Sequence, residues 1–291
     1  MRLHKSLLIP AIAAIGVLGL TACTDSGAPT AENTAAVDDT VEFEAGTTMA
    51  KLNEAGAITI GTKYDQPLFG QADANGDPQG FDVEIGKLIA SKLGIPATGI
   101  TWKESPSTSR EPFIQSNEVD IVVATYTIND KRKEIVSFAG PYYNAGQDIL
   151  VLAGNPKGIE GPDDLEGLSV CTAGGSTSEA NLAEYTDNIV TFTGYAECLE
   201  PLRQGTVDAV STDNVILAGL ADANPGEFEV VGNPFTEEPY GIGLALDDTE
   251  FRDFINDVIE ESFEDGTWDE LWNKTAGTVL PLPKHPTVDR Y

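Results

Sequence analysis

The sequence predicts an α/β fold on three observations: short runs rich in β-branched residues, longer stretches with apolar residues at helical spacing, and Gly or Pro at the junctions. Ala57-Ile58-Thr59-Ile60-Gly61 is the first β-type run. At 83–93, Ile85, Leu88, Ile89 and Leu93 fall on one helical face, and Gly94 and Pro96 end the segment. Ile100-Thr101-Trp102-Lys103 is a second strand, and a short helix starts at Pro112-Phe113-Ile114-Gln115. Asp120-Ile121-Val122-Val123-Ala124 is apolar on both faces, the pattern of a strand buried between layers. Residues 148–152, 168–171, 209–212 and 241–246 give further strands, separated by helical stretches.

The first 46 residues depart from that pattern. Arg2 and Lys5 precede an apolar run from Leu7 to Leu20 that is short and Gly-rich for a membrane span, so 1–22 reads as an export leader. Leu20-Thr21-Ala22-Cys23 resembles the lipobox of bacterial lipoproteins, whose Cys is acylated and becomes the new N-terminus. That resemblance implies a lipid on Cys23 and attachment to the extracytoplasmic face of the cell membrane, since several acyl chains suffice for stable anchoring. Residues 24–46 have no periodic apolar pattern and few large side chains, so burial cannot offset their ordering entropy and a flexible tether is expected. Roughly 245 residues remain from Thr47 onward, enough for two modest domains or one large one.

Charge and rare residues narrow the function. The formal net charge is −30, and removal of Arg2 and Lys5 with the leader takes it to −32, which repels nucleic acid and anionic lipid. With Cys23 assigned to lipid, Cys171 and Cys198 remain, and an even count outside the cytoplasm argues for a disulfide. His4 leaves with the leader, and His285 lies in the Pro-rich tail, so His-based acid–base catalysis, His triads and His-containing metal sites are uneconomical readings. Carboxylates are too abundant for their spacing to carry a signal, and a phosphate loop of the Walker type is absent. A non-enzymatic protein with no cofactor and no metal is expected.

Gly80-Phe81-Asp82-Val83-Glu84-Ile85, followed by Leu88-Ile89-Ala90 and Leu93, resembles the signature of the family 3 solute-binding proteins, the polar amino-acid receptors of ATP-driven importers. The resemblance extends over about residues 50 to 280 and implies a two-lobed type II binding-protein fold with two hinge crossings and a ligand cleft. It places the crossings near Tyr142 to Gly146 and near Tyr240 to Gly243, giving lobe 1 as 47–142 and 244–291, and lobe 2 as 147–239. A monomer working with an ABC permease is implied. Dehydratases and the substrate-like domains of cell-wall lyases share the architecture, and a ligand-sensing lipoprotein is a third possibility.

The candidate ligand site follows residue by residue. In Thr125-Tyr126-Thr127-Ile128-Asn129-Asp130-Lys131-Arg132, Asn129 or Asp130 can cap a helix whose first turn carries Arg132, bringing hydroxyl, N–H groups and guanidinium together at a strand's C-terminal end. It resembles the family motif in which Thr127 and Arg132 hold the ligand's α-carboxylate and Thr125 adds a backbone contact. Gly174-Gly175-Ser176-Thr177 opens a helix after a strand and is similar to the family's Gly-Thr-Thr turn, so Gly175, Ser176 and Thr177 are expected to supply the second anion contact. Asp213 matches the family's ammonium-binding Asp, with Asp208 as its competitor. Lys63 and Arg110 stand where receptors for glutamate and aspartate carry basic groups, the alternative being rim ion pairs with Asp65 or Glu111. Gln66 and Leu68 flank Pro67 where an aromatic stack is common, with Tyr64 and Phe69 the aromatics nearby. Together these imply capture of glutamate by lobe closure, with glutamine or aspartate as alternatives.

Overall fold

The computed structural model describes Val37 and residues 40–291. The expected leader and the expected lipidation at Cys23 lie outside the described residues.

Chain order runs through α1 (Thr48–Ala55), β1 (Ile58–Thr62), a hairpin system of β2 (Asp65–Gln66), β3 (Gly70–Ala72) and β4 (Pro78–Gln79), then α2 (Phe81–Lys92) and β5 (Ile100–Glu104). Next come α3 (Arg110–Gln115), β6 (Ile121–Val122), α4 (Asp130–Lys133), β7 (Ser137–Ala145) and β8 (Gln147–Leu152). They are followed by β9 (Val170–Ala173), α5 (Thr177–Leu182), β10 (Ile189–Phe192), α6 (Leu199–Arg203), β11 (Ala209–Asp213), α7 (Asn214–Asp222) and β12 (Phe228–Val230). The chain closes with β13 (Glu238–Leu244), α8 (Thr249–Asp265) and α9 (Thr267–Lys274).

Two five-stranded sheets result, ordered β5-β1-β6-β13-β7 and β10-β9-β11-β8-β12, and each is the centre of one lobe. In the first, β1 is parallel to β5 and β6, while β13 runs antiparallel to β6 and β7. In the second, β9 is parallel to β10 and β11, with β8 antiparallel to β11 and β12. The chain changes sheet at Gly146, between β7 and β8, and again between β12 and β13. The second change falls a few residues before Tyr240 to Gly243, which pair with β7 inside the first sheet.

Sequence explains much of this. Asn129 caps α4 by accepting from Arg132 N at 2.9 Å. Gly94 follows α2 at φ 75°, a left-handed turn that Gly adopts without steric cost. The buried run 120–124 is shorter as a strand than expected, with only Ile121 and Val122 in the sheet, because Thr125 turns into φ 44°. α8 and α9 return to the first lobe, where Trp268 and Trp272 stack at 5.4 Å and pack against Phe81. Both tryptophans are fully buried, and truncating either to Ala should remove roughly 3–5 kcal/mol of stability.

Two features of the described body bear on the sequence reading. Cys171 and Cys198 form a disulfide with an S–S distance of 2.01 Å, joining β9 to the turn before α6. The end of the expected tether is not free of the core: Phe43 packs edge-on against Phe254 of α8 at 5.5 Å. A lone aromatic between Glu42 and Glu44 has no periodic neighbours to announce it.

Candidate ligand cleft

Each lobe presents the C-terminal ends of its parallel strands to the other. From lobe 1, Lys63 follows β1, Arg110 lies beyond β5, and Thr125, Thr127 and Arg132 follow β6. From lobe 2, Gly175, Ser176 and Thr177 follow β9, Tyr195 lies beyond β10, and Asp213 ends β11. Open α/β sheets expose loops and helix starts at this end, so the topology alone assembles polar groups there.

Lys63, Arg110 and Arg132 are all buried, with 2%, 3% and 8% of their surface exposed. Neither Lys63 nor Arg110 makes an ion pair among the described residues. Lys63 Nζ instead donates to Ser107 Oγ at 2.9 Å, and Arg110 Nη1 donates to the carbonyls of Ala124 at 3.1 Å and Thr125 at 3.4 Å. Arg110 Nε is buried with no partner among the described residues. The guanidinium of Arg110 lies 4.2 Å from the Tyr126 ring centroid and that of Arg132 4.9 Å from it. Arg132 Nη1 donates to Thr127 O at 2.8 Å, and its Nε stands 3.2 Å from Glu111 Oε1. Burial, then the nearby charge of Arg110, pulls Lys63 down to about 7. Burial and Arg110 likewise lower Arg132.

The carboxylates opposite are equally enclosed. Asp213 accepts from Tyr240 OH at 2.6 Å through Oδ2, while Oδ1 is buried with no partner among the described residues. Burial, then the charge of Glu238, raises Asp213 to about 7. Asp208 has a different use: its carboxylate accepts from Ser169 N at 2.9 Å and pairs with Lys157 at 3.0 Å. Asp82, from the signature segment, is fully buried and accepts from Tyr142 OH at 2.6 Å and Thr125 N at 2.7 Å. Burial raises it to about 7 despite those bonds. With Gln66 Oε1 accepting from the Thr125 hydroxyl at 2.9 Å, Asp82 holds Thr125 in its left-handed conformation, which a β-branched residue adopts only at a cost of about 1–3 kcal/mol.

The lobes touch around this set. Ser176 caps α5 by accepting from Glu179 N at 3.0 Å, and Thr177 Oγ1 lies 3.5 Å from Thr127 Oγ1 across the cleft. Arg132 Nη2 reaches Gly175 O at 3.5 Å, and Tyr195 N donates to Asp65 Oδ2 at 2.7 Å. Gly175 sits at φ 73°, and a Cβ there would lie 2.8 Å from the Thr108 methyl. Gly219 occupies the interior of α7, where glycine weakens a helix, but its missing side chain clears the Pro67 carbonyl, which a Cβ would meet at 2.4 Å. The closed approach of the two lobes therefore depends on small residues of lobe 2.

Several contributors escaped sequence reasoning. Glu238 carried no signal among so many carboxylates, and Tyr195 none at all; Glu111, considered only as a rim partner for Lys63 or Arg110, instead pairs with Arg132. Phe69, an aromatic near the expected stack, is fully buried in the lobe 1 core against Phe81, Tyr143, Tyr240 and Trp272. Aromatic surface beside the cations comes instead from Tyr126 and from Tyr195, whose ring centroid is 6.0 Å from Lys63 Nζ.

Residues 58–278 match the model of the bacterial extracellular solute-binding proteins, family 3. The chain is 36% identical over 277 residues to the glutamate-binding protein GluB of Corynebacterium efficiens, covering 91% of this chain and 88% of that one. It is 36% identical over 231 residues to the ABC transporter glutamine-binding protein GlnH of Bacillus subtilis, covering 78% and 84%. Among solved structures, an ancestral arginine-binding protein bound to glutamine matches with a TM-score of 0.70 at 36% identity, covering 76% of this chain and 97% of that one.

Proposed function

Because the chain belongs to the bacterial extracellular solute-binding proteins of family 3, an amino-acid-binding receptor of ABC importers, we propose that its own ligand is glutamate, captured by closure of the two lobes. The observation that carries this reading is the burial of three cations, Lys63, Arg110 and Arg132, beside Asp213, whose Oδ1 lacks a partner among the described residues. One zwitterionic amino acid with a second carboxylate complements that set. Arg132 and the N–H groups of the turn at Gly175, Ser176 and Thr177 serve the α-carboxylate, Thr127 lends its backbone, and Asp213 takes the ammonium. Arg110 and Lys63 take the distal carboxylate. GluB and GlnH are named for glutamate and glutamine, and the basic pair Arg110 and Lys63 favours the charged ligand here.

Titration calorimetry against glutamate, glutamine and aspartate tests the reading, and pH adds a signature. Below about 7 Asp213 takes up a proton and loses its attraction for an ammonium, so affinity for every amino acid falls towards acid pH. Above about 7 Lys63 loses its charge, so affinity for glutamate falls on the alkaline side as well. Each limb approaches about tenfold per pH unit. Glutamate binding should peak near pH 7, while glutamine keeps only the acid limb. Tighter binding of glutamine than of glutamate at pH 7 would transfer the assignment to glutamine.

Attachment by a lipid on Cys23 is part of the same proposal, supported by the Leu-Thr-Ala-Cys sequence at 20–23. Replacing Cys23 with Ser should abolish palmitate labelling and release the protein from the membrane fraction, and a label that persists would exclude it.

A further inference from the structure

Glu238, the first residue of β13, stands where the chain passes from lobe 2 into the lobe 1 sheet and is 2% exposed. Its Oε2 accepts from Thr127 Oγ1 of lobe 1 at 2.7 Å and from Thr177 Oγ1 of lobe 2 at 2.8 Å. Its Oε1 accepts from Thr236 Oγ1 at 2.9 Å and Asn181 Nδ2 at 3.2 Å. One buried hinge carboxylate oxygen thus receives a hydroxyl from each lobe.

We infer that Glu238 is a positioning residue that latches the two lobes through these hydroxyls and orients the threonines of the ligand site. The inference rests on the reading of the cleft as an amino-acid site. A hydroxyl has one proton to donate, and here both protons point at Glu238. The threonine oxygens therefore face the cleft as acceptors, and a ligand carboxylate must find its donors in Arg132 and in backbone N–H groups. Hydrogen bonds to an ionised acceptor are stronger than neutral ones, and this pair exists only while the lobes are together. Opening separates Thr127 from Thr177, so one of the two bonds breaks with it. Glu238 acts on the equilibrium between open and closed forms, and on the ligand through the threonines it orients.

The test compares wild type with Glu238→Gln, which keeps the shape and loses the charge, and with Glu238→Ala. Stopped-flow measurement with L-glutamate should show dissociation faster by about 10- to 100-fold, association changed less than about threefold, and a ligand-free melting temperature within a few degrees of wild type. Thr177→Val should reproduce the faster dissociation, and combining it with Glu238→Gln should add little, because both remove one interaction. A ligand-free arm separates this inference from the choice of ligand. With one fluorophore on each lobe, the unliganded wild type should populate a short-distance form that Glu238→Ala depletes. Unchanged dissociation with an unchanged distance distribution would overturn the latch, as would additive effects of Thr177→Val and Glu238→Gln. So would a loss of affinity accounted for entirely by a lower melting temperature. Failure of wild type to bind L-glutamate counts against the ligand assignment, and the fluorophore arm then decides the latch alone.

Discussion

Arg132→Ala is expected to weaken every amino acid together, by roughly 2–5 kcal/mol, because it strips a buried cation from the carboxylate that all of them share. The guanidinium is enclosed by Thr127 O, Glu111 and the Tyr126 ring, and it reaches Gly175 O across the cleft. Its removal therefore costs closure contacts as well as charge, and it leaves Glu111 without its cation. Calorimetry of glutamate and glutamine checks this: parallel losses of about 30-fold or more support the assignment, and unchanged affinity for both would overturn it. The protein should still fold, because Arg132 reaches across the cleft to Gly175 and the larger aromatic cluster of lobe 1, Phe69, Phe81, Trp268 and Trp272, is built without it.

Arg110→Met should separate the two ligands. Its side chain has the length to fill the space over Tyr126 but no charge, so glutamate loses a charge-assisted pair worth roughly 1.5–3 kcal/mol while glutamine loses less. The glutamate-to-glutamine preference should fall by about 10- to 100-fold. Equal losses for both ligands would remove Arg110 from the distal subsite and leave Lys63 to define it. The variant leaves the buried carbonyls of Ala124 and Thr125 without the donor that Arg110 now supplies, so the melting temperature of Arg110→Met is measured beside its affinities.

How far the sequence could be read depended on which physical signal each element carries. Helix α2 and strands β1, β5 and β11 announced themselves because one-sided apolar spacing or short β-branched runs coincide with burial. β7 did not. Ser137 to Ala145 contains Gly140-Pro141 in its middle, and only its end was expected, as a hinge crossing near Tyr142 to Gly146, yet it is a nine-residue strand and the longest pairing partner of β13. Proline is tolerated there because β7 lies at the edge of its sheet. β10 was passed over as well, although Ile189-Val190-Thr191-Phe192 is a β-branched run bounded by Asp187-Asn188 and Gly194; it is a short, partly exposed strand at the edge of its sheet.

The site divides along the same line. Arg132, Thr127 and Asp213 sit in short segments where strand, turn and cap follow one another, so local sequence locates them. Lys63 and Arg110 were conspicuous because a chain of −30 net charge has few cations. The resemblance favoured a place in the side-chain pocket and kept rim ion pairs with Asp65 or Glu111 as the alternative; both side chains are buried, and neither makes an ion pair among the described residues. Glu238 depends on the meeting of β13 with Thr127 from lobe 1 and Thr177 from lobe 2, separations of 111 and 61 residues. Pattern reading over a single segment has no access to a group whose role is defined by two distant partners.

The most direct test of amino-acid capture is a crystal structure of the protein grown with L-glutamate. The ligand's α-carboxylate should lie within hydrogen-bond distance of Arg132 and the Gly175–Thr177 turn, its ammonium against Asp213 Oδ1, and its distal carboxylate against Arg110 and Lys63. A ligand bound in the reverse sense, with its ammonium turned away from Asp213, or a cleft that excludes glutamate altogether, would contradict it.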